Sequence, residues 1–273
     1  MELFVKTLAR MFETSARCMI SIANIGFIGT WKVIFWKIGG KSDLRRVHIR
    51  KLDRSFYYRG KNDHGALTHF YIGGVKINEG SSSDKIKTII DAGANIGTEM
   101  LRFRHFHPDA KIIAIEGNEQ NFEVLKMNIG SDNNTKPTLA ALHNKSAKLK
   151  SYNPTSNNES FRFLEAKEGE AYDVLGVSLE NIIIEHGIHE IDILKCDIEG
   201  SERYLFDDSC ETWVGKVKVI IMECPDADAE GTTAQVFKSL EANHWKFNTH
   251  IVGENLVLIR DDLSWTVEKS FYL

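Results

Sequence analysis

Within ILKCDIEGSE (193–202), Lys195, Asp197, Glu199 and Glu202 follow directly on an apolar run. Carboxylates so placed can take a proton from a weakly acidic hydroxyl, grip hydroxyls through hydrogen bonds, or bind a divalent cation. Asp197, where the run ends, fits all three roles and is the metal-ligand candidate here. Lys195 shares the alternation phase of Asp197 and Glu199 in an extended chain, so it can orient either acid by pairing. Glu199 falls where a helix would begin, and a helix N-terminus favours its charge. Glu202 comes one helical turn later, as a solvated helix residue or a substrate contact. His64, in KNDHGALTH, is a further candidate base, because imidazole exchanges its proton near neutrality.

A second cluster is DAGANIG (91–97), with glycines at a strand-to-helix turn. Such glycines let the backbone approach a ligand, and the following helix offers free N–H groups to an anion. The loop lacks the G-K-[ST] of a nucleotide P-loop, and its G-x-N-x-G spacing is not the G-x-G-x-x-G of a dinucleotide turn. What remains is an anion without a pyrophosphate, such as the carboxylate of S-adenosylmethionine (SAM). Glu116 closes the next apolar run, where an acid in a nucleoside-binding sheet accepts hydrogen bonds from both ribose hydroxyls.

Elements of regular spacing surround these clusters. TIIDAG, KIIAIEGN, PTLAAL, IDILKCD and VKVIIMEC are short apolar runs that read as strands. Between them the helical period recurs: Ile96, Met100, Phe103 and Phe106 before Pro108; Phe122, Leu125 and Ile129 with Asn118 as cap; then VSLENIIIEHG and TTAQVFKSLEANHW. Wholly apolar strands alternating with helices predict an α/β fold, a parallel sheet covered on both faces. KFNTHIV and NLVLIR, joined by GEN, predict a closing hairpin with an antiparallel edge. The polar stretch 143–170 reads as a hairpin and loops over one edge. Ligands bind beyond the carboxyl ends of such strands, and Asp91, Glu116, Asp197 and Glu223 all fall there. Glu223, next to Pro225, is expected to line an acceptor pocket.

IIDAGANIGTEM, IAIEGNEQNFEVLKMNI, VSLENIIIEHGIHEIDILKCDIEGSE and VIIMEC together resemble the FkbM family of SAM-dependent methyltransferases over about 87–260, with a weaker echo in YYRGKNDHGALTHFYIGG (57–74). The resemblance implies a class I, Rossmann-like methyltransferase with a mostly parallel seven-stranded sheet, helices on both faces and an antiparallel C-terminal edge strand. It also implies SAM as cofactor and O-methylation of a hydroxyl, on a sugar, a glycolipid or a secondary metabolite. The expected cofactor contacts are Asp91, Gly93, Ala94, Asn95 and Gly97 in the first loop, Glu116, Gly117 and Asn118 in the second, and Ala141 after the third strand. One departure is EGN at 116–118, where the family more usually has acid-proline-asparagine. The missing proline loosens the turn and leaves the acid in place. An alternative function is a non-catalytic SAM-binding module docked to another enzyme or to a membrane.

The length of 273 residues and a charged fraction of 26% suit one large globular domain with an appendage, or two modest domains. The expected divisions are a helical segment 1–43, a strand-rich lead-in 44–86 that contributes to the acceptor pocket, the SAM-binding domain 87–260 and a tail 261–273. The net charge is −4 and the longest basic stretch is LRRVHIRK (44–51), so no nucleic-acid partner is expected. Cys18, Cys196, Cys210 and Cys224 lie far apart, which suggests neither a disulfide framework nor a zinc site, and a cytoplasmic location follows. Neither His64/His69 nor His105/His107 has zinc-ligand spacing. A divalent metal is compatible with the acids and not demanded by them. Near the N-terminus, Phe27, Trp31, Ile34, Phe35 and Ile38 share a helical face. That face fits packing on the domain, a homo-oligomer contact, or a helix lying at the inner face of a membrane.

Overall fold

The computed structural model describes residues 43–60, 62–63, 65–66, 74–81, 84–152, 162–198, 201–223, 226 and 230–270, together with helical positions 19, 21, 23, 25–27, 29–31 and 33. His64 and Glu199 lie outside the described residues. The chain divides into two compact units, Met1–Gly74 with Ser270–Leu273, and Val75–Lys269.

In the first unit, β1 (Leu44–Ile49) and β2 (Arg54–Arg59) form an antiparallel hairpin. Val47 and Ile49 of β1, and Phe56 and Tyr58 of β2, are buried. The helical positions bury Ser21, Ile25, Thr30 and Val33, and the Ser21 and Thr30 hydroxyls hydrogen-bond at 2.9 Å. Phe27 and Trp31 do not join this unit's buried set. They are 61% and 57% exposed, because the face turned inward carries the smaller residues. Ile34, Phe35 and Ile38 lie outside the described residues.

The second unit runs β3 (Gly74–Asn78), β4 (Thr88–Ala92), α1 (Thr98–Phe106), β5 (Lys111–Glu116), α2 (Glu119–Ile129) and β6 (Thr135–Leu139). It continues through β7 (Ala141–His143), β8 (Ala147–Tyr152), β9 (Arg162–Glu165), β10 (Val174–Ser178), α3 (Leu179–His186) and β11 (Ile191–Cys196). The last elements are α4 (Glu202–Leu205), β12 (Val217–Glu223), α5 (Thr232–Ala242), β13 (Phe247–Val252), β14 (Asn255–Arg260) and β15 (Thr266–Ser270). The large sheet has seven strands in the order β13-β14-β12-β11-β4-β5-β6. All neighbours from β12 to β6 pair in parallel, and β14 is antiparallel to both of its neighbours. The antiparallel strand therefore sits one place in from the edge, since the β13–β14 hairpin docks on β12 through its second strand.

Burial on both faces follows from the apolar runs. Ile90, Ile113, Leu194, Ile220 and Leu258 are adjacent in register and pack with Leu179, Ile182 and Ile183 of α3 and Val236 and Leu240 of α5. The alternate residues Ile89, Ile112, Ile193, Val219 and Ile259 are equally buried, on the face that α1 and α2 cover. Ser178 and Asn118 each cap a helix by accepting a backbone N–H.

Two local readings change. PTLAAL does not form one strand: β6 ends at Leu139, and Ala141 starts β7 in a separate four-stranded sheet, β7-β10-β8-β9. Pro137 lacks an N–H to donate, which suits β6 to the sheet edge it occupies. The polar stretch does contain a hairpin, β8–β9, and VLGVS forms a strand, β10, before α3 begins. The tail 261–273 carries β15, which pairs with β3.

Candidate functional site

Strand order alone picks out one place for a ligand. From β4 the chain steps outward to β5 and β6, and it later returns to β11 on the other side of β4 and steps away to β12. The carboxyl ends of β4 and β11 therefore flank the crevice where the order reverses, the binding position of open α/β sheets.

The loop after β4 is built for close approach. Gly93 has φ +81°, and a Cβ on it would lie 1.8 Å from the Asp197 carbonyl oxygen. Only glycine lets this loop lie against the end of β11. The Gly93 and Ala94 N–H groups both donate to the Ile115 carbonyl, at 3.0 and 2.9 Å, and Asp197 N–H donates to the Ala92 carbonyl at 3.0 Å. Asn95 is left-handed with φ +49°, and Gly97 has φ +93°. A Cβ on Gly97 would meet the Leu125 side chain at 2.8 Å, so glycine there also lets α1 approach α2.

Glu116 ties the two loops together. Its Oε2 accepts the Asn95 N–H at 2.8 Å and its Oε1 accepts the Asn118 N–H at 2.7 Å. Asn118 Oδ1 in turn accepts the Asn121 N–H at 3.0 Å. The carboxylate thereby fixes both loop backbones. Oε1 also accepts from the Asn121 side-chain amide at 3.5 Å, and a carboxylate oxygen can accept more than one hydrogen bond.

Asp91 and Lys195 are neighbours across β4 and β11. Asp91 is fully buried, and neither carboxyl oxygen has a hydrogen-bond partner among the described residues. Burial pushes its pKa up to about 7, against the pull of the Lys195 ammonium. Burial works against the Lys195 charge as well, but the carboxylates of Asp197, Asp91 and Glu99 outweigh it and hold the ammonium more firmly protonated than usual. Lys195 Nζ donates to Asp197 Oδ2 at 2.8 Å, and Asp197 keeps 26% of its side chain exposed. Asp197 thus has one oxygen held by Lys195 in a side chain that is still partly exposed. Burial raises the pKa of the intervening Cys196 thiol, which keeps it unreactive.

The opposite end of the sheet shows the contrast. Asp192 accepts the Lys87 and Thr88 N–H groups at 2.7 and 2.8 Å and pairs with Lys218 at 2.7 Å. That acid is saturated and stitches three strands together. Buried polar groups are normally satisfied in this way. Asp91, and the Asn95 side-chain oxygen with no partner among the described residues, depart from that pattern, and both belong to the loop at the end of β4.

The other candidates separate. Glu202 is 1% exposed, and its Oε1 accepts the Ile198 N–H at 3.0 Å. It is not a solvated helix residue, because its carboxylate folds back to fix the turn after Asp197. Glu223 ends β12 opposite Asn255 of β14, half-buried. Gly117 and Ala141 come together beneath Phe163 of β9. A Cβ on Gly117 would lie 2.6 Å from the Phe163 ring and 3.3 Å from the Ala141 methyl. Phe163 escapes a reading of the sequence because it stands in a polar stretch with no helical period or strand-length alternation. Among the described residues no three His, Cys, Asp or Glu side chains are grouped to hold a metal ion.

These features fit SAM: a loop that only glycine can form, buried carboxyl oxygens without a protein donor among the described residues, and an acid at the end of β5. A family model for the methyltransferase FkbM domain matches residues 91–252. Similar solved structures include the METTL16 methyltransferase domain, 11% identical over 70% of this chain and 62% of that one, with a TM-score of 0.41. Others are the Methanococcus jannaschii fibrillarin pre-rRNA processing protein (15%; 80% and 83%; TM-score 0.40) and the Geobacter metallireducens precorrin-6y C5,15-methyltransferase (12%; 78% and 88%; TM-score 0.37). The chain spans somewhat less than two thirds of the METTL16 domain. Among curated proteins no sequence matches.

Proposed function

Because the chain belongs to the FkbM family of SAM-dependent methyltransferases, matched over residues 91–252, we propose that it methylates a hydroxyl oxygen of a sugar, in a glycan, a glycolipid or a related small metabolite. In this reading the loop Asp91–Gly97, with Glu116, Gly117, Asn118 and Ala141, holds the cofactor. Bound there, SAM supplies an electrophilic methyl group on a sulfonium. The chain's own task is to bring one hydroxyl oxygen into line and to accept its proton.

The observation that carries the proposal is the Lys195–Asp197 pair, set directly against Gly93 of the loop. Asp197 is partly exposed at the crevice, and Lys195 fixes its rotamer through Oδ2. The other oxygen then receives the acceptor's O–H. An alcohol is far less acidic than a carboxylic acid, so the proton moves to Asp197 as the oxygen gains its new bond, and not beforehand. Alignment at close range supplies much of the remaining rate. Glu202 acts on this step through the backbone, by holding the turn that follows Asp197. Glu199 and His64 are the alternative bases, and Glu223 lines the acceptor side.

Transfer of a labelled methyl from SAM to a panel of glycans and glycolipids tests the proposal. Asp197→Ala is expected to abolish transfer while SAM affinity stays within about threefold, since the cofactor contacts lie in other loops. Transfer that survives in Asp197→Ala would remove Asp197 from the chemistry. Methyl groups found only on nitrogen or carbon acceptors would overturn the hydroxyl assignment.

A further inference from the structure

The two compact units carry opposite charge. Met1–Gly74 with Ser270–Leu273 hold 13 lysines and arginines against 5 acids, a net +8. Val75–Lys269 hold 21 against 33, a net −12, and the two together give the chain's −4. The near-neutral total hides a strongly basic N-terminal unit. Such asymmetry between parts of one chain marks a surface for an anionic partner.

The same unit exposes a row of large apolar side chains. Along the helical positions, Met19, Phe27 and Trp31 are 66%, 61% and 57% exposed. Ala23, between Met19 and Phe27, is exposed as well and continues the apolar row. These four residues are spaced four apart, so they lie along one side. Phe27 and Trp31 meet edge to face, with ring centroids 6.4 Å apart. The opposite side is buried through Ser21, Ile25, Thr30 and Val33, so turning the aromatics inward would expose that set instead. Arg50 adjoins the row. A Cβ on Gly26 would lie 2.4 Å from the Arg50 guanidinium, and Gly26 has φ +75°, so glycine there makes room for Arg50 beside Phe27. On β1, Leu44, Arg46 and His48 alternate outward and are exposed.

We propose that this unit docks on an anionic lipid bilayer, with Met19, Phe27 and Trp31 entering the interface and the unit's lysines and arginines meeting the headgroups. Exposed Trp and Phe in a unit of strong net positive charge are what binding at an anionic interface requires. A phosphate backbone would use the cations but leave the aliphatic Met19 and Leu44 unexplained. Among the described residues no helix is long and apolar enough to cross a membrane, so the contact is interfacial. The inference does not depend on the methyl-transfer reading.

Co-sedimentation of the full chain with vesicles tests it, using phosphatidylcholine alone and a mixture of phosphatidylcholine with phosphatidylglycerol. The chain should pellet with the anionic vesicles, stay in solution with the neutral ones, and be released at about 0.5 M salt, where screening removes the charge term. Phe27→Ser/Trp31→Ser should weaken binding about tenfold with an unchanged circular dichroism spectrum, because both side chains are already exposed. Arg46→Glu, on the outer face of the hairpin, should weaken it by a similar factor, about tenfold, through charge alone. A wild-type chain that stays in the supernatant, or that pellets equally with both vesicles, overturns the proposal. A dimer dissolved by the double substitution, or an RNA oligonucleotide that displaces the vesicles, overturns it too, assigning the surface to a second copy or to a nucleic acid.

Discussion

Replacing Asp91 by Asn should make the protein's stability far less sensitive to pH, and by a predictable amount. Asp91 is fully buried with a pKa of about 7, against an ordinary value of 3.8. A raised folded-state pKa means that the folded chain keeps a proton the unfolded chain has already lost. Stability from this group is therefore fully present below about pH 4 and falls as pH rises toward 7, the reverse of a salt-bridged carboxylate. At about 1.36 kcal/mol per unit, the wild type should lose about 2–3 kcal/mol between pH 5 and pH 8 that the Asn variant does not lose. The amide is nearly isosteric and does not titrate, so any constant cost of the substitution cancels between the two pH values. Lys195 retains Asp197 as its partner, so no buried charge is stranded. Urea unfolding of both proteins at pH 5 and pH 8, without cofactor, measures the difference. Equal pH dependence in the two proteins, or a wild type that gains stability over the variant as pH rises, would refute the burial argument for Asp91.

Glu116→Ala should weaken SAM binding at least tenfold by calorimetry, since charge-assisted hydrogen bonds are worth about 1.5–3 kcal/mol each. The same change frees the Asn95 and Asn118 N–H groups that Glu116 now holds. Phe163→Ala should weaken SAM binding by about threefold to tenfold, the scale of one aromatic contact, and should leave the melting temperature nearly unchanged because the ring is only half-buried.

The architecture was legible because its signals are local and repeated. Unbroken apolar runs such as KIIAIE and VKVIIME marked central strands, and Asn118 announced its helix through the side chain that caps it. The pieces that escaped depend on the third dimension. Nothing in PTLAAL tells the large sheet from the small one, because Ala140 can continue a strand or break it. The inner place of β14 is set by which strand of the hairpin meets β12. At the site, Gly93, Asp91 and Glu116 stood out by residue type at strand ends. The burial of Glu202 did not, since an acid in the first turn of a helix is usually solvated and here turns back to the Ile198 N–H. The charge imbalance between the units was masked by summing over the whole chain.

The most direct measurement is calorimetric titration of the full chain with SAM, run beside Gly93→Ala. The wild type should bind one equivalent. The variant should bind none at the same concentrations, because its new methyl would lie 1.8 Å from the Asp197 carbonyl oxygen and must push the loop off the end of β11. No heat from the wild type at millimolar SAM, or equal affinity in the variant, would contradict a cofactor site at the junction of β4 and β11.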